Sequence, residues 1–295
     1  MSHVSRYLDP ALVEQLNHLA LWARSVVVGT TVGQHKSPIK GASVEFRQHR
    51  IYVPGDEPRR LDWRVLGRTD RHYVKEYDEE TNLRCVLMLD CSGSMAYAGS
   101  GSSKFDYAAK LAAGFAYMML GQTESVGVAM CGKSVEHWLA PHAGPMQLSR
   151  LLDVLEQRGP RDESGMAAAM HEVADRLDHR GLLIVLSDFF VPVEELRSGL
   201  AHLRHDRHEV IALQVVDRDE EDFPFKNWCR FRGLEGERAR LCEPAIMRRT
   251  YRERFARHRR ELREACLAIG VEFQTFVTDR PMLETIRMFL ARRAG

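Results

Sequence analysis

The chain has 295 residues, with 42 Lys and Arg against 41 Asp and Glu, a net charge of +1. That balance excludes a polynucleotide or membrane-surface binder driven by bulk charge. At 44% apolar and 28% charged residues, the composition is that of an ordinary globular protein, and no apolar run of the ~18 residues needed for a membrane span occurs. Six cysteines at 85, 91, 131, 229, 242 and 266 form no CxxC pair, so they are expected to be reduced thiols, several of them buried. The opening MSHVSRYLDPALVEQL lacks the apolar core of a signal peptide. A cytoplasmic protein is the expectation.

In chain order, Asp9-Pro10 predicts a helix start, with Asp9 as cap and Leu12, Leu16 and Leu19 on one face. Residues 29–42, rich in Gly, Pro and Ser, read as loop. Residues 43–53 alternate as a strand, Pro54-Gly55-Asp56 as a turn, and 61–66 and 73–77 as further short strands. From Arg84 the rhythm becomes strand then helix. Buried strands are predicted at 85–89 and 181–186 and further strands at 125–130, 210–216 and 271–277, with a hairpin partner at 134–139 turning on Gly132-Lys133. Helices are predicted at 104–120, 146–157, 164–177, 193–204, 243–269 and 281–293, and residues 218–242 read as irregular. This alternation implies an α/β fold, a doubly wound and mostly parallel sheet of Rossmann-like type, with a small β-rich N-terminal extension. The expected division is 1–80 and 81–295.

The stretch RCVLMLDCSGSM, residues 84–95, carries the chemistry. A buried strand ends in Asp90, and Ser92 and Ser94 follow on alternate positions around Gly93. Ligands of open α/β sheets bind beyond the carboxyl ends of strands. Two other loops on the same rim carry oxygen side chains: Ser164 at a helix start and Asp188 directly after the 181–186 strand. Donors that are mostly hydroxyl, with few charges, suit a hard cation, Mg²⁺ or Mn²⁺. They leave it able to accept a carboxylate from another protein. Without a metal, the same residues are an ordinary capped turn.

The DxSxS run, the helix-opening hydroxyl and the strand-end Asp resemble the metal-ion-dependent adhesion site of von Willebrand factor A domains. The resemblance implies Asp90, Ser92, Ser94, Ser164 and Asp188 as the ligand set, with Ser164 where Thr is usual and Asp162 competing for that place. Upstream, Glu45-Phe46, Tyr52, Pro54-Gly55-Asp56, Arg59, Asp62-Trp63, Arg68-Thr69 and Tyr73-Val74-Lys75-Glu76 resemble the signature of the family named domain of unknown function 58 (DUF 58). That family joins a β-rich segment to a von Willebrand A-like domain. Its members are commonly found beside MoxR-type AAA+ ATPases and are thought to serve them as adaptors or assembly partners. The resemblance implies a non-enzymatic, metal-dependent protein-binding module, with a MoxR-type ATPase or its client presenting the Asp or Glu.

Other readings compete. A strand-end Asp beside Mg²⁺ could serve a phosphohydrolase, but Ser92 stands where such enzymes place a second acid, and no GxxxxGK[ST] loop occurs. The third reading is a scaffold with a vestigial metal site. The basic run 248–263 carries the stripe Met247, Tyr251, Phe255, Leu262 and Cys266, so a sheet-flanking helix is expected and nucleic acid is not. His202, His205 and His208 sit on a charged helix end and are not expected to bind Zn²⁺.

Overall fold

The computed structural model describes residues 5–19, 44–52, 72–79 and 83–294 apart from 158, 162, 163, 206 and 237, together with positions 62, 63, 65 and 67. The loop at 29–42, the turn at 54–56, Arg59, Arg68-Thr69 and Asp162 lie outside the described residues. Two compact units result: Val32–Asn82, and Met1–Thr31 with Leu83–Gly295.

In the smaller unit, β1 (Val44–Ile51) pairs antiparallel with β2 (Tyr73–Glu79). A register shift between Phe46 and Gln48 interrupts the strict alternation read across 43–53. Among the described residues of 61–66, which are 62, 63 and 65, the expected strand is not found: Trp63 and Val65 are helical. Asp62 explains this, because its Oδ1 accepts the Val65 N–H three residues on, as a helix cap does.

The larger unit is a mixed α/β layer structure. Its elements are β3 (Arg84–Asp90), α1 (Lys104–Leu120), β4 (Ser125–Cys131), β5 (Val135–His142), α2 (Pro145–Gln157), α3 (Met166–Asp175), β6 (Leu182–Ser187), α4 (Val193–His205), β7 (Glu209–Val216), α5 (Arg218–Asp222), β8 (Cys229–Phe231), β9 (Arg240–Cys242), α6 (Pro244–Ala268), β10 (Glu272–Val277) and α7 (Met282–Ala294). The six-stranded sheet runs in the order β10-β7-β6-β3-β4-β5. Every pairing is parallel except β4 with β5, the predicted hairpin.

Period-two alternation along β3 divides the core. Cys85, Leu87 and Leu89 face a layer containing Leu111 and Phe115 of α1, Leu151 of α2 and Phe289 of α7. Val86 and Met88 face Met170 of α3, Leu200 of α4 and Leu262 of α6. Both sheet faces are therefore covered, which is why β3 and β6 read as continuous apolar runs. The N-terminal helix joins the first layer through Leu16 and Leu19. Ser5 Oγ also donates to Glu156 at 2.6 Å, so residues 5–19 group with the larger unit.

Residues 218–242, expected to be irregular, contain α5 and the two-stranded β8–β9 sheet. A capping box starts α5: Asp219 N–H donates to Asp217 Oδ1 at 2.9 Å, and Asp217 N–H donates to Glu220 at 2.8 Å. Helix α6 buries Phe255, Leu262 and Cys266, while Met247 from the predicted stripe is exposed. Part of its charge is structural, since Arg248 donates to the Phe223 and Phe225 carbonyls. The three spaced histidines do not converge. His202 meets His171 at 2.8 Å, and His208 Nδ1 accepts the Gly181 N–H at 3.0 Å.

Candidate functional site at the ends of β3 and β6

From β3 the chain continues to β4 on one side, while β6 lies on the other. The strand order thus reverses at β3, which opens a crevice beyond its carboxyl end. Asp90 is the last residue of β3, and Asp188 follows β6 directly. Ser187 links the two strands. Its hydroxyl donates to Asp90 Oδ2 at 2.5 Å and accepts the Phe189 N–H at 2.9 Å. Asp90 Oδ1 accepts the Ser92 N–H at 2.8 Å, which folds the DxSxS turn back over the strand end. Ser92 Oγ and Ser94 Oγ lie 3.1 Å apart.

The third hydroxyl arrives from the loop before α3. Ser164 was expected at the start of that helix, whose N-cap is Gly165, with no side-chain capping hydrogen bond among the described residues. The Ser164 hydroxyl is instead buried with no hydrogen-bond partner among the described residues. Close packing fixes this loop. A Cβ on Gly165 would lie 2.2 Å from the Lys133 carbonyl oxygen, and the Gly165 N–H donates to the Gly132 carbonyl at 2.9 Å. A Gly165→Ala substitution should therefore move the Ser164 loop or the β4–β5 turn and cost about 1–3 kcal/mol. Urea unfolding checks this: the midpoint should fall with an unchanged slope, and an unchanged midpoint would show that the loop can give way freely.

Glu235, on the β8–β9 connection, draws the two serine loops together. Its Oε1 accepts the Ser94 N–H at 3.1 Å, and its Oε2 accepts the Ser164 N–H at 3.4 Å.

Asp188 carries a partner that sequence reading missed. Lys104, first residue of α1, is wholly buried. Its Nζ donates to Asp188 Oδ2 at 2.7 Å and to Glu220 at 2.6 Å. It also lies 5.0 Å from the Phe190 ring centroid. Asp188 Oδ1 accepts the Phe190 N–H at 3.2 Å. Phe189 between them adopts φ +55, a left-handed conformation costly for a bulky residue. Full burial of its ring against the α4 and α6 side of the sheet holds it there. Burial first, and then the neighbouring Asp188, pushes the Asp90 carboxyl up to about 6. For Lys104, burial alone would favour the neutral amine. Asp188 and Glu220 outweigh it and hold the ammonium charged.

The arrangement joins Asp90, Ser92 and Ser94 at the end of β3, ties the Ser164 backbone to the Ser94 loop through Glu235, and sets Asp188, held by Lys104, close enough to act on Asp90. Among the described residues, no three His, Cys, Asp or Glu side chains are placed together to hold a metal ion. A cation here would depend on the hydroxyls plus the two aspartates. The buried, unpartnered Ser164 hydroxyl and the paired Ser92 and Ser94 hydroxyls fit such a donor set chemically. Sequence reading missed Ser187, Lys104, Glu220 and Glu235. Of these, Ser187 was visible as a hydroxyl at a strand end, and Glu220 in the D-x-x-E capping pattern.

A family model described as "Protein of unknown function DUF58" matches residues 48–265. Uncharacterized proteins of Mycobacterium tuberculosis and Mycobacterium bovis are 26% identical over 291 residues, covering 97% of this chain and 90% of theirs. Among solved structures, the chain is similar to the conserved hypothetical protein BatB of Bacteroides thetaiotaomicron and to an aerotolerance-related membrane protein of Bacteroides fragilis. Both are 14% identical with TM-scores of 0.46 and 0.47, covering 72% of this chain and 99% and 100% of theirs. An uncharacterized membrane spanning protein of Vibrio fischeri, also 14% identical, has a TM-score of 0.26 and the same 72% coverage of this chain. Two of these three are described as membrane proteins, and the cytoplasmic placement expected from the sequence is not retained. Among the described residues, no helix is long and apolar enough to cross a membrane.

Proposed function

The chain belongs to the DUF58 family, and we propose that it acts as a non-enzymatic, metal-dependent protein-binding module of von Willebrand A type. In this reading Mg²⁺ or Mn²⁺ is held by Asp90, Ser92, Ser94, Ser164 and Asp188. The bound cation would supply positive charge and a coordination position for an Asp or Glu of a protein partner. A MoxR-type AAA+ ATPase or its client is the partner class that the family resemblance suggests. The observation that carries the reading is the Ser164 hydroxyl, buried without a hydrogen-bond partner among the described residues, on a loop that Glu235 ties to the Ser94 loop. A buried hydroxyl left without a hydrogen bond is costly, and a cation would relieve that cost. Asp90 supports the reading from the other side, as a carboxylate buried next to a second one.

The chain's own groups set the geometry. Ser187 and the Ser92 N–H orient Asp90, while Lys104 and the Phe190 N–H orient Asp188. Binding of a purified MoxR-type ATPase, measured by calorimetry with Mg²⁺ and with EDTA, tests the function. Binding should require Mg²⁺ and disappear in Asp90→Ala. Binding that persists in EDTA and in that variant would overturn the reading.

A further inference from the structure

Glu235 comes from far along the chain, 141 residues after Ser94 and 71 after Ser164. Its carboxylate nevertheless receives one N–H from each of the two serine loops. Two backbone donors on separate loops, both aimed at one carboxylate, make a seat for that group. The seat lies between the loop that carries the Ser92–Ser94 hydroxyl pair and the loop that carries Ser164.

The element that delivers Glu235 is lightly held at its tip. Strands β8 and β9 have three residues each, and none of the six is buried. Leu234 beside Glu235 is exposed, and Gly236 after it adopts φ +96, which turns the chain sharply. The base is better anchored. Phe231 stacks on Phe223 at 5.7 Å and meets Phe225 edge-on at 5.3 Å. A short ribbon fixed at one end opens at lower free energy than the core.

We propose that Glu235 is an internal stand-in for the partner's carboxylate: the tip of the β8–β9 hairpin fills the docking seat, and an incoming Asp or Glu side chain must displace it. This rests on the metal-dependent docking reading above and adds regulation of that site by the chain itself. The ligand class follows from the occupant: an acidic side chain on an exposed turn, as Glu235 is. With the seat open in a tenth of molecules or fewer, apparent affinity for the partner falls about tenfold or more.

The hairpin supplies its own probe. A fluorescent peptide copying residues 231–240, FRGLEGERAR, is titrated by anisotropy into the full chain with Mn²⁺ and with EDTA. The expected result is binding to Glu235→Ala and Glu235→Gln at least about tenfold tighter than to wild type, and loss of binding when the peptide carries Gln at the position of Glu235. Equal affinity for wild type and variants, or no binding to either variant, overturns the stand-in role. Paramagnetic resonance of Mn²⁺ separates the two ideas. Mn²⁺ bound by wild type and lost in Asp90→Ala, with no gain from the Glu235 variants, leaves the metal reading standing without the stand-in. Tighter peptide binding to the variants that survives EDTA keeps the stand-in and removes the metal.

Discussion

Replacing Lys104 with Met is expected to destabilise the larger unit by about 3–5 kcal/mol, because breaking a buried ion pair strands its partners. The ammonium has no exposed surface and satisfies two carboxylates, Asp188 at 2.7 Å and Glu220 at 2.6 Å. The methionine would fill a similar volume and keep the contact with Phe190, so the cost is electrostatic. It would leave Asp188 and Glu220 buried without a counter-charge, with Asp90 already pushed up to about 6 by burial and by Asp188. A matched control shows that distance does not decide the outcome. Arg6 meets Asp106 at 2.6 Å, but the Arg6 side chain is 65% exposed. Solvent screens that pair, and Arg6→Ala should cost less than about 1 kcal/mol. Thermal unfolding checks both. The Lys104 variant should melt on the order of 10 °C lower and the Arg6 variant within a few degrees of wild type. A small shift for Lys104→Met would mean that water reaches the cluster.

What local pattern specifies was legible in the sequence, and what distant contacts specify was not. The run 85–89 followed by Asp90 announced a buried parallel strand, because strands covered on both faces lose their alternation. The same signal found β6, and the order of strands and helices then implied the sheet. Lys104 looked like the first polar residue of an apolar helix. Its burial is explained by Asp188 and Glu220, which lie 84 and 116 residues away. Glu235 sits in a hairpin whose three-residue strands are too short to show a period. The segment 218–242 therefore read as irregular, although the D-x-x-E pattern at Asp217 to Glu220 did mark a helix start. Leu61 to Leu66 shows the reverse error. Its apolar residues suggested a strand, while Asp62 acts as a cap on the residues that follow. Among the proposed ligands, Ser164 was found for the wrong local reason. It was read as a hydroxyl opening the helix, but Gly165 is the N-cap and the Ser164 hydroxyl has no hydrogen-bond partner among the described residues.

Adding Mg²⁺ should raise the melting temperature of the wild-type chain near neutral pH, and Asp90→Asn should abolish the rise. At one hundred times its Kd, a cation that binds the folded state alone contributes about 2.7 kcal/mol, or roughly 5–10 °C for a unit of this size. The pH dependence has a fixed sign. Burial and Asp188 raise the Asp90 carboxyl from 3.8 to about 6 in the folded chain. Between those values the folded state binds the proton more tightly than the unfolded one. Without a cation, the contribution of Asp90 to stability is therefore full below the lower value and is lost as pH rises through the upper one. A cation and a proton compete for the same oxygens, so the Mg²⁺ effect should be present at about pH 7.5 and largely gone at about pH 5. Asp90→Asn separates the two. Without Mg²⁺ it removes the charge penalty above pH 6, so the variant should be at least as stable as wild type there, while the response to Mg²⁺ disappears. Melting curves of both proteins across this range, with and without Mg²⁺, decide the matter. A rise that survives Asp90→Asn would take Asp90 out of the ligand set. No rise at any pH would leave Ser92, Ser94 and Ser164 as parts of a turn and Lys104 as the cation that this cluster of carboxylates was built around.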